Sequence, residues 1–193
     1  AMGPDQMHGY VERQVGDHSP NYGGVARHDM GVLNNTNDPW RASVEISGPG
    51  QSSYQLKDME TAEAACTELA RIAAERRDGS DEPFCLTIGF MLPHPPYVAW
   101  REDYALYAGK IGIPDLPAPA SGDEHPWLAW WRSDRGIATT RREDALRARA
   151  AYWGLVTRLD ILIGQVLDAL QRHGLADDTL VVYSSDHGDQ LGE

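Results

Sequence analysis

Two stretches of the chain carry apolar residues at helical spacing. From Asp58 to about Arg77, Ala62, Ala65, Cys66, Leu69, Ile72 and Ala73 fall on one face. Asp58 is placed to cap the start and Gly79 to stop the end. The second stretch is longer. Leu146, Ala150, Trp153, Val156, Leu159, Ile163, Val166 and Leu170 form a continuous stripe that opens with a Thr140/Glu143 capping box and closes at Gly174. The spacing predicts a helix of more than thirty residues, or one that breaks once near Gly154. Two other stretches are short and nearly all apolar: "PFCLTIGF", Pro83 to Phe90, and Thr179 to Ser184. Each reads as a strand covered on both faces, which belongs in a parallel sheet, and the order strand–helix–strand predicts a right-handed crossover between them.

Between these elements the pattern breaks. Residues 1–55 are rich in Gly, Pro, Asn, Asp and Ser, from "GDHSPNYGG" through "NNTNDPW" to "SGPGQSS", and read as an irregular, loop-rich segment. That is a poor opening for an independent domain, so the expectation is a partial domain with residues 56–193 as its α/β core portion. Residues 91–140 form a proline-rich insertion carrying Trp100, Trp127, Trp130 and Trp131. Insertions of this length are functional or form interfaces, and this one is the expected contact of a homo-oligomer.

Composition narrows the classes of function. Apolar residues make up 41% and charged residues 24%, which is the balance of a folded chain. The net charge of −12, from 29 acidic and 17 basic residues, argues against a nucleic-acid partner, which needs a basic surface. It leaves an anionic small substrate open, because the field in a cleft can oppose the net charge. No apolar run reaches the roughly 20 residues that span a bilayer, and no signal peptide is visible. No membrane partner is therefore expected. The compartment stays open, with the cytoplasm favoured. Cys66 and Cys85 sit in apolar surroundings and read as small buried hydrophobes, not as a disulfide.

The chemistry-bearing residues cluster at the strand ends. Parallel sheets bind ligands beyond the carboxyl ends of their strands. The first strand delivers "MLPHPPY" there and the second delivers "SDHGD". Asp186 and His187 offer a hard oxygen and an imidazole nitrogen from adjacent backbone positions, a pair that a divalent cation accepts. His94, flanked by Pro93, Pro95 and Pro96, is an imidazole on a stiff backbone, suited to binding an anion or protonating a leaving group. Taken alone, Asp-His-Gly-Asp is more often a solvated turn, "PHPPY" is as readily a rigid loop start, and the tryptophans more often cover core or interface than bind cations.

Three blocks in order change that balance. "LVVYSSDHGDQLGE" resembles the sulfatase signature, a strand ending in Ser-Asp-His/Asn-Gly-Asp. "EPFCLTIGFMLPHPPY" resembles a second sulfatase block, and "GPDQMHGYVER" looks like a block of choline-sulfatase-like members. The resemblance covers essentially the whole chain. It implies an alkaline-phosphatase-like α/β fold, a parallel-sheet sandwich with flanking helices, and hydrolysis of a small sulfate ester. It also implies that Asp186 and His187 are metal ligands and that His94 contacts sulfate or the leaving oxygen. The implied metal is calcium, with manganese or magnesium as alternatives. The family's nucleophile is a formylglycine made from a Cys-x-Pro-Ser-Arg motif. Cys66 lies in "ACTEL" and Cys85 in "FCLTI", so neither matches, and the formylglycine is expected in an N-terminal part outside this sequence. The early acidic ligands, the Lys/His pair before "GPDQ" and a lysine beyond Leu-Gly-Glu are missing too. The chain is therefore expected to be an internal piece that is inactive alone. Val25 stands where choline-sulfatase-like members carry a tryptophan. A phosphonate or phosphate monoester hydrolase of the same superfamily, and a non-catalytic binding or assembly module, remain alternatives.

Overall fold

An uninterrupted helix of 31 residues, Arg142–Arg172 (α5), runs through the second apolar stretch in a computed structural model that describes residues 9–15, 41–113 and 124–192. Its buried positions include Ala148, Ala150, Ala151, Leu155, Leu159, Leu162, Val166, Ala169 and Leu170, mostly in steps of three and four. This face shares Ala150, Leu159, Val166 and Leu170 with the predicted stripe, while Leu146, Val156 and Ile163 are half-buried. Small alanines sit at its centre, where close packing needs them, and Trp153 falls to its edge, 43% exposed and in contact with the Tyr107 ring at 5.9 Å. The predicted capping box does not form. Thr140 closes the preceding 3₁₀ turn, Ile137–Thr139, and its hydroxyl has no hydrogen-bond partner. The first turn of α5 is organised instead by Asp144, which accepts from Arg141 at 2.8 Å and pairs with Arg147 at 2.7 Å. Two guanidinium groups hold an N-terminal carboxylate more firmly than a hydroxyl can. The far end is a Schellman motif as the sequence predicts. Gly174, at φ +70°, donates to the Gln171 carbonyl and Leu175 to that of Leu170.

The other long helix, Ser53–Arg77 (α2), starts a turn earlier than its apolar spacing suggests. Asp58 is therefore not its cap. It lies inside the helix, fully buried, and both its carboxylate oxygens accept from the backbone N–H of Met91 at 2.9 Å.

The chain divides into two compact units, and α5 contributes to both. The first consists of residues 1–29, 53–91 and 159–184. Its core joins Ala62, Leu69 and Ile72 of α2 to Leu162, Val166 and Leu170 of α5. Phe84, Leu86, Ile88 and Phe90 pack against that core. The alternate residues Cys85, Thr87 and Gly89 face outward, so the segment is extended and covered on one face, not on both. This corrects the reading of Cys85: period-two alternation exposes it. Cys66 is partly buried, and both cysteines are free thiols. The second predicted strand is also extended, but Leu180, Val181, Val182 and Tyr183 are exposed. Neither segment has a ladder partner among the described residues.

The second unit consists of residues 30–52, 92–158 and 185–193. Part of it falls within the stretch read as irregular, where a short helix, Arg41–Glu45 (α1), and a strand, Gly48–Pro49 (β1), form. β1 pairs in parallel with Val98–Ala99 (β2), Gly48 opposite Val98 and Pro49 opposite Ala99. Arg147 reaches from α5 to three carbonyls at the end of α1, those of Val44, Glu45 and Ser47. Carbonyls at and just beyond a helix end are suited to a guanidinium fork, and that of Val44 also accepts from Ser47. After β2 comes Arg101–Ala105 (α3). Its Asp103 pairs with Arg158 at 2.9 Å, and that guanidinium lies over the Trp100 ring at 4.2 Å. The helix Pro126–Asp134 (α4) carries the remaining tryptophans of the insertion, with Trp127 stacked on Trp131 and both Trp127 and Trp130 exposed. No helix among the described residues is long and apolar enough to cross a membrane.

Candidate functional site

All three predicted site residues lie in the second unit. Asp186 and His187 sit on a turn whose hydrogen bonds are local. The Asp186 carboxylate accepts the His187 backbone N–H at 2.8 Å, and the Ser185 hydroxyl donates to the His187 carbonyl at 2.7 Å. His187 Nδ1 lies 2.9 Å from the Gly188 carbonyl. A carbonyl oxygen only accepts, so Nδ1 carries the hydrogen and, in the neutral ring, the lone pair sits on Nε2. Nε2 is 3.6 Å from Asp186 Oδ2, and both side chains are largely exposed. That separation is what two ligands of one ion give, each roughly 2.0–2.4 Å from it.

The pair fits a divalent cation in donor type, tautomer and spacing, but it is half a shell. Among the described residues no group of three or more His, Cys, Asp or Glu side chains is placed to hold an ion. His94 is exposed at the start of the other motif loop, its Nδ1 2.8 Å from the Pro95 carbonyl, so the same logic gives it an Nδ1–H and a lone pair on Nε2.

The two motif loops are joined by a bond that pattern reading did not assign. The buried Tyr97 phenol, which ends "PHPPY", donates to Asp189, which ends "DHGD". The only signal for it in the sequence is that a phenol and a carboxylate each close a motif. Elsewhere, the first unit has a cleft of about 280 Å³ bounded by Arg71, Arg76, Phe84 and several glutamates, which contains none of the predicted residues.

The Gly188 carbonyl first, and the Asp186 and Asp189 charges after it, favour the protonated His187 ring and raise its pKa above the usual 6.5. A raised pKa means that the contribution of His187 to stability is complete below pH 6.5 and disappears as pH rises through the folded value. A cation held by the pair would compete with that proton, so its affinity would rise with pH over the same range. A proton-detected NMR titration should place the His187 midpoint above 6.5 and move it down as salt screens the carboxylates. A midpoint at or below 6.5 would contradict the described turn.

Comparison with known proteins identifies the family. Residues 9–193 match the sulfatase family model. The chain belongs to the sulfatase family. Over its whole length it is 34% identical to the choline-sulfatase of Rhizobium meliloti strain 1021, covering 39% of that protein. It is 33% identical to the multifunctional alkaline phosphatase superfamily protein PehA of Trinickia caryophylli, over 98% of this chain and 40% of that one. The human iduronate 2-sulfatase is 31% identical over 66% of this chain. The chain thus spans about two fifths of the first two relatives. Membership establishes the α/β, alkaline-phosphatase-like class read from the motifs, and the two-stranded parallel sheet with its helices is consistent with part of such a domain. Val25 and the first half of "GPDQMHGYVER" lie outside the described residues.

Proposed function

We propose that this chain supplies one half of the active site of a metal-dependent sulfuric ester hydrolase. In this reading Asp186 and His187 are two ligands of a divalent cation, calcium before manganese or magnesium. His94 meets a sulfate oxygen or the leaving oxygen. The supporting observation is the pairing of Asp186 Oδ2 with His187 Nε2 at 3.6 Å on an exposed turn that fixes the tautomer. When bound, the cation would neutralise charge on the sulfate oxygens and lower the pKa of the attacking group.

The chain's own residues contribute in distinct ways. Asp186 brings a negative charge to the cation. His187 brings a neutral donor held in orientation by the Gly188 carbonyl, the outer-shell arrangement that ligating imidazoles use. His94, when protonated, can donate from Nε2 to an ester oxygen as the S–O bond breaks, so that the alcohol leaves neutral. The nucleophile is assigned to a formylglycine outside these residues, because neither cysteine lies in the required motif.

The purified chain should therefore show no turnover of an aryl sulfate with calcium or manganese above a metal-only blank, and only weak cation binding by calorimetry. Turnover that persists when both cysteines are replaced would overturn the assignment of the nucleophile. Submicromolar calcium affinity abolished by Asp186→Ala would show that the shell is complete within the chain.

A second reading is favoured by the nearly equal identities to a choline-sulfatase and to a multifunctional alkaline phosphatase superfamily protein, 34% and 33%. The same ligands would serve phosphonate or phosphate monoesters, since both esters present anionic oxygens to one cation and expel an alkoxide that needs a proton. Ranking an aryl sulfate, an aryl phosphate and a phosphonate monoester by kcat/KM on a protein that also carries the nucleophile separates the two.

A further inference from the structure

The turn that carries Asp186 and His187 is bonded mostly to itself. Its bonds from Asp186 to His187, from Ser185 to His187 and from His187 to Gly188 all span one or two residues. Such a turn can keep its internal shape and still swing as a body, which would carry both ligands away from any fixed point. Tethering it requires a bond to another element. Among the described residues that hydrogen bond is the one from the Tyr97 phenol to Asp189.

Tyr97 is well built for the task. It is 4% exposed, its ring meets that of Tyr152 on α5 at 6.3 Å, and its own carbonyl accepts from Gly48 at 2.9 Å where β1 and β2 pair. The ring is therefore held by a helix and a sheet, the rigid support that precise sites need. Its hydroxyl is the one polar atom of the side chain, and it is spent on the ligand-bearing turn. Tyr97 also lies three residues from His94, so the same bond sets the two motif loops in register.

We infer that Tyr97 is a positioning residue: by donating to Asp189 it holds the Asp186–His187 turn in place relative to the loop that carries His94. The inference rests on the reading of Asp186 and His187 as ligands. Burial, and then the Asp189 carboxylate, push the phenol far above its usual pKa, so the donor stays protonated throughout the pH range in which the pair would bind a cation.

The decisive variants remove the bond and keep the packing. Tyr97→Phe retains the ring against Tyr152, and Asp189→Ala removes the acceptor at an exposed position. Thermal midpoints should change little in either. Backbone ¹⁵N order parameters of residues 186–189 should fall from the rigid range near 0.85 to below about 0.6, while those of α5 stay high. The ¹⁵N shifts of the His187 ring should report the same Nδ1–H tautomer, because its carbonyl partner is inside the turn. With manganese alone as the probe, paramagnetic broadening of His187 should need roughly tenfold more metal in either variant. The double variant should do no more than either single change. Unchanged order parameters in both single variants would overturn the inference, as would loosening spread evenly over the second unit. If the parent chain shows no manganese broadening at millimolar metal, the ligand reading fails, while the order parameters still decide whether Tyr97 tethers the turn.

Discussion

Gly154→Ala should destabilise the second unit by about 1 kcal/mol, although alanine is the better helix former. The helix term alone favours alanine by roughly 1 kcal/mol. Packing opposes it. A Cβ at position 154 would lie 3.0 Å from the Ala99 Cβ and 3.1 Å from the backbone of Asp103 and Tyr104. None of these atoms can rotate away: one is a methyl on a fully buried strand residue and the others are main chain. Overpacking of this kind costs about 1–3 kcal/mol, and forcing α3 or β2 outward would also strain the Asp103–Arg158 pair. The net loss should appear in urea unfolding followed by tryptophan fluorescence. Trp100, Trp127, Trp130, Trp131 and Trp153 belong to segments of the second unit, so that signal reads the affected part. Gly154→Leu should lower the midpoint further. A midpoint for Gly154→Ala equal to or above that of the parent would show that the close approach is not rigid.

Gly154 also illustrates what the sequence could reveal. A glycine in a long apolar stripe predicts either a break or a close neighbour, and the pattern cannot choose between them. The neighbour, β2, is only two residues long and is set by a pairing with β1 that no local signal announces. The helices, their glycine stops and the extended character of 83–90 were legible because each depends on local periodicity or on a left-handed position. The capping box was misread because two arginines close in sequence outcompete a hydroxyl for the helix start, and ion-pair strength is invisible to a motif. Burial of both predicted strands was overstated for a related reason. Apolar composition says that a face wants cover, while the supply of cover is a property of the whole fold.

The candidate site was legible to a different degree. Its residues came from motif and strand polarity, and the structure places all three in one unit. The tie between the loops was not legible, because Tyr97 and Asp189 are 92 positions apart and carry no spacing signal. Family membership rests on the match across residues 9–193, whereas the roles proposed for Asp186, His187 and His94 rest on donor chemistry alone: one hard oxygen, one oriented imidazole and a second imidazole on the other loop.

Asp58→Ala should be the most damaging single change in the first unit, at about 3 kcal/mol. The carboxylate is fully buried in the interior of α2, and it receives the Met91 N–H on both oxygens at 2.9 Å. Hydrogen bonds to a charged acceptor contribute roughly 1.5–3 kcal/mol, and a backbone N–H left without a partner costs about 1–3 kcal/mol more. Alanine's helix propensity returns less than 1 kcal/mol of this. The bond also fixes the end of the segment whose Phe84, Leu86, Ile88 and Phe90 cover the core formed by α2 and α5, so its loss loosens apolar contacts as well as a polar one. Asp58→Asn keeps one acceptor of the same shape and should cost about half as much. Far-UV circular dichroism should show the fall in midpoint, since α2 and the second half of α5 make this unit mostly helical. Hydrogen exchange at Met91 should accelerate in both variants, and more in Asp58→Ala. If Asp58→Ala unfolds at the same urea concentration as the parent, the buried carboxylate is not what holds this segment to its helix.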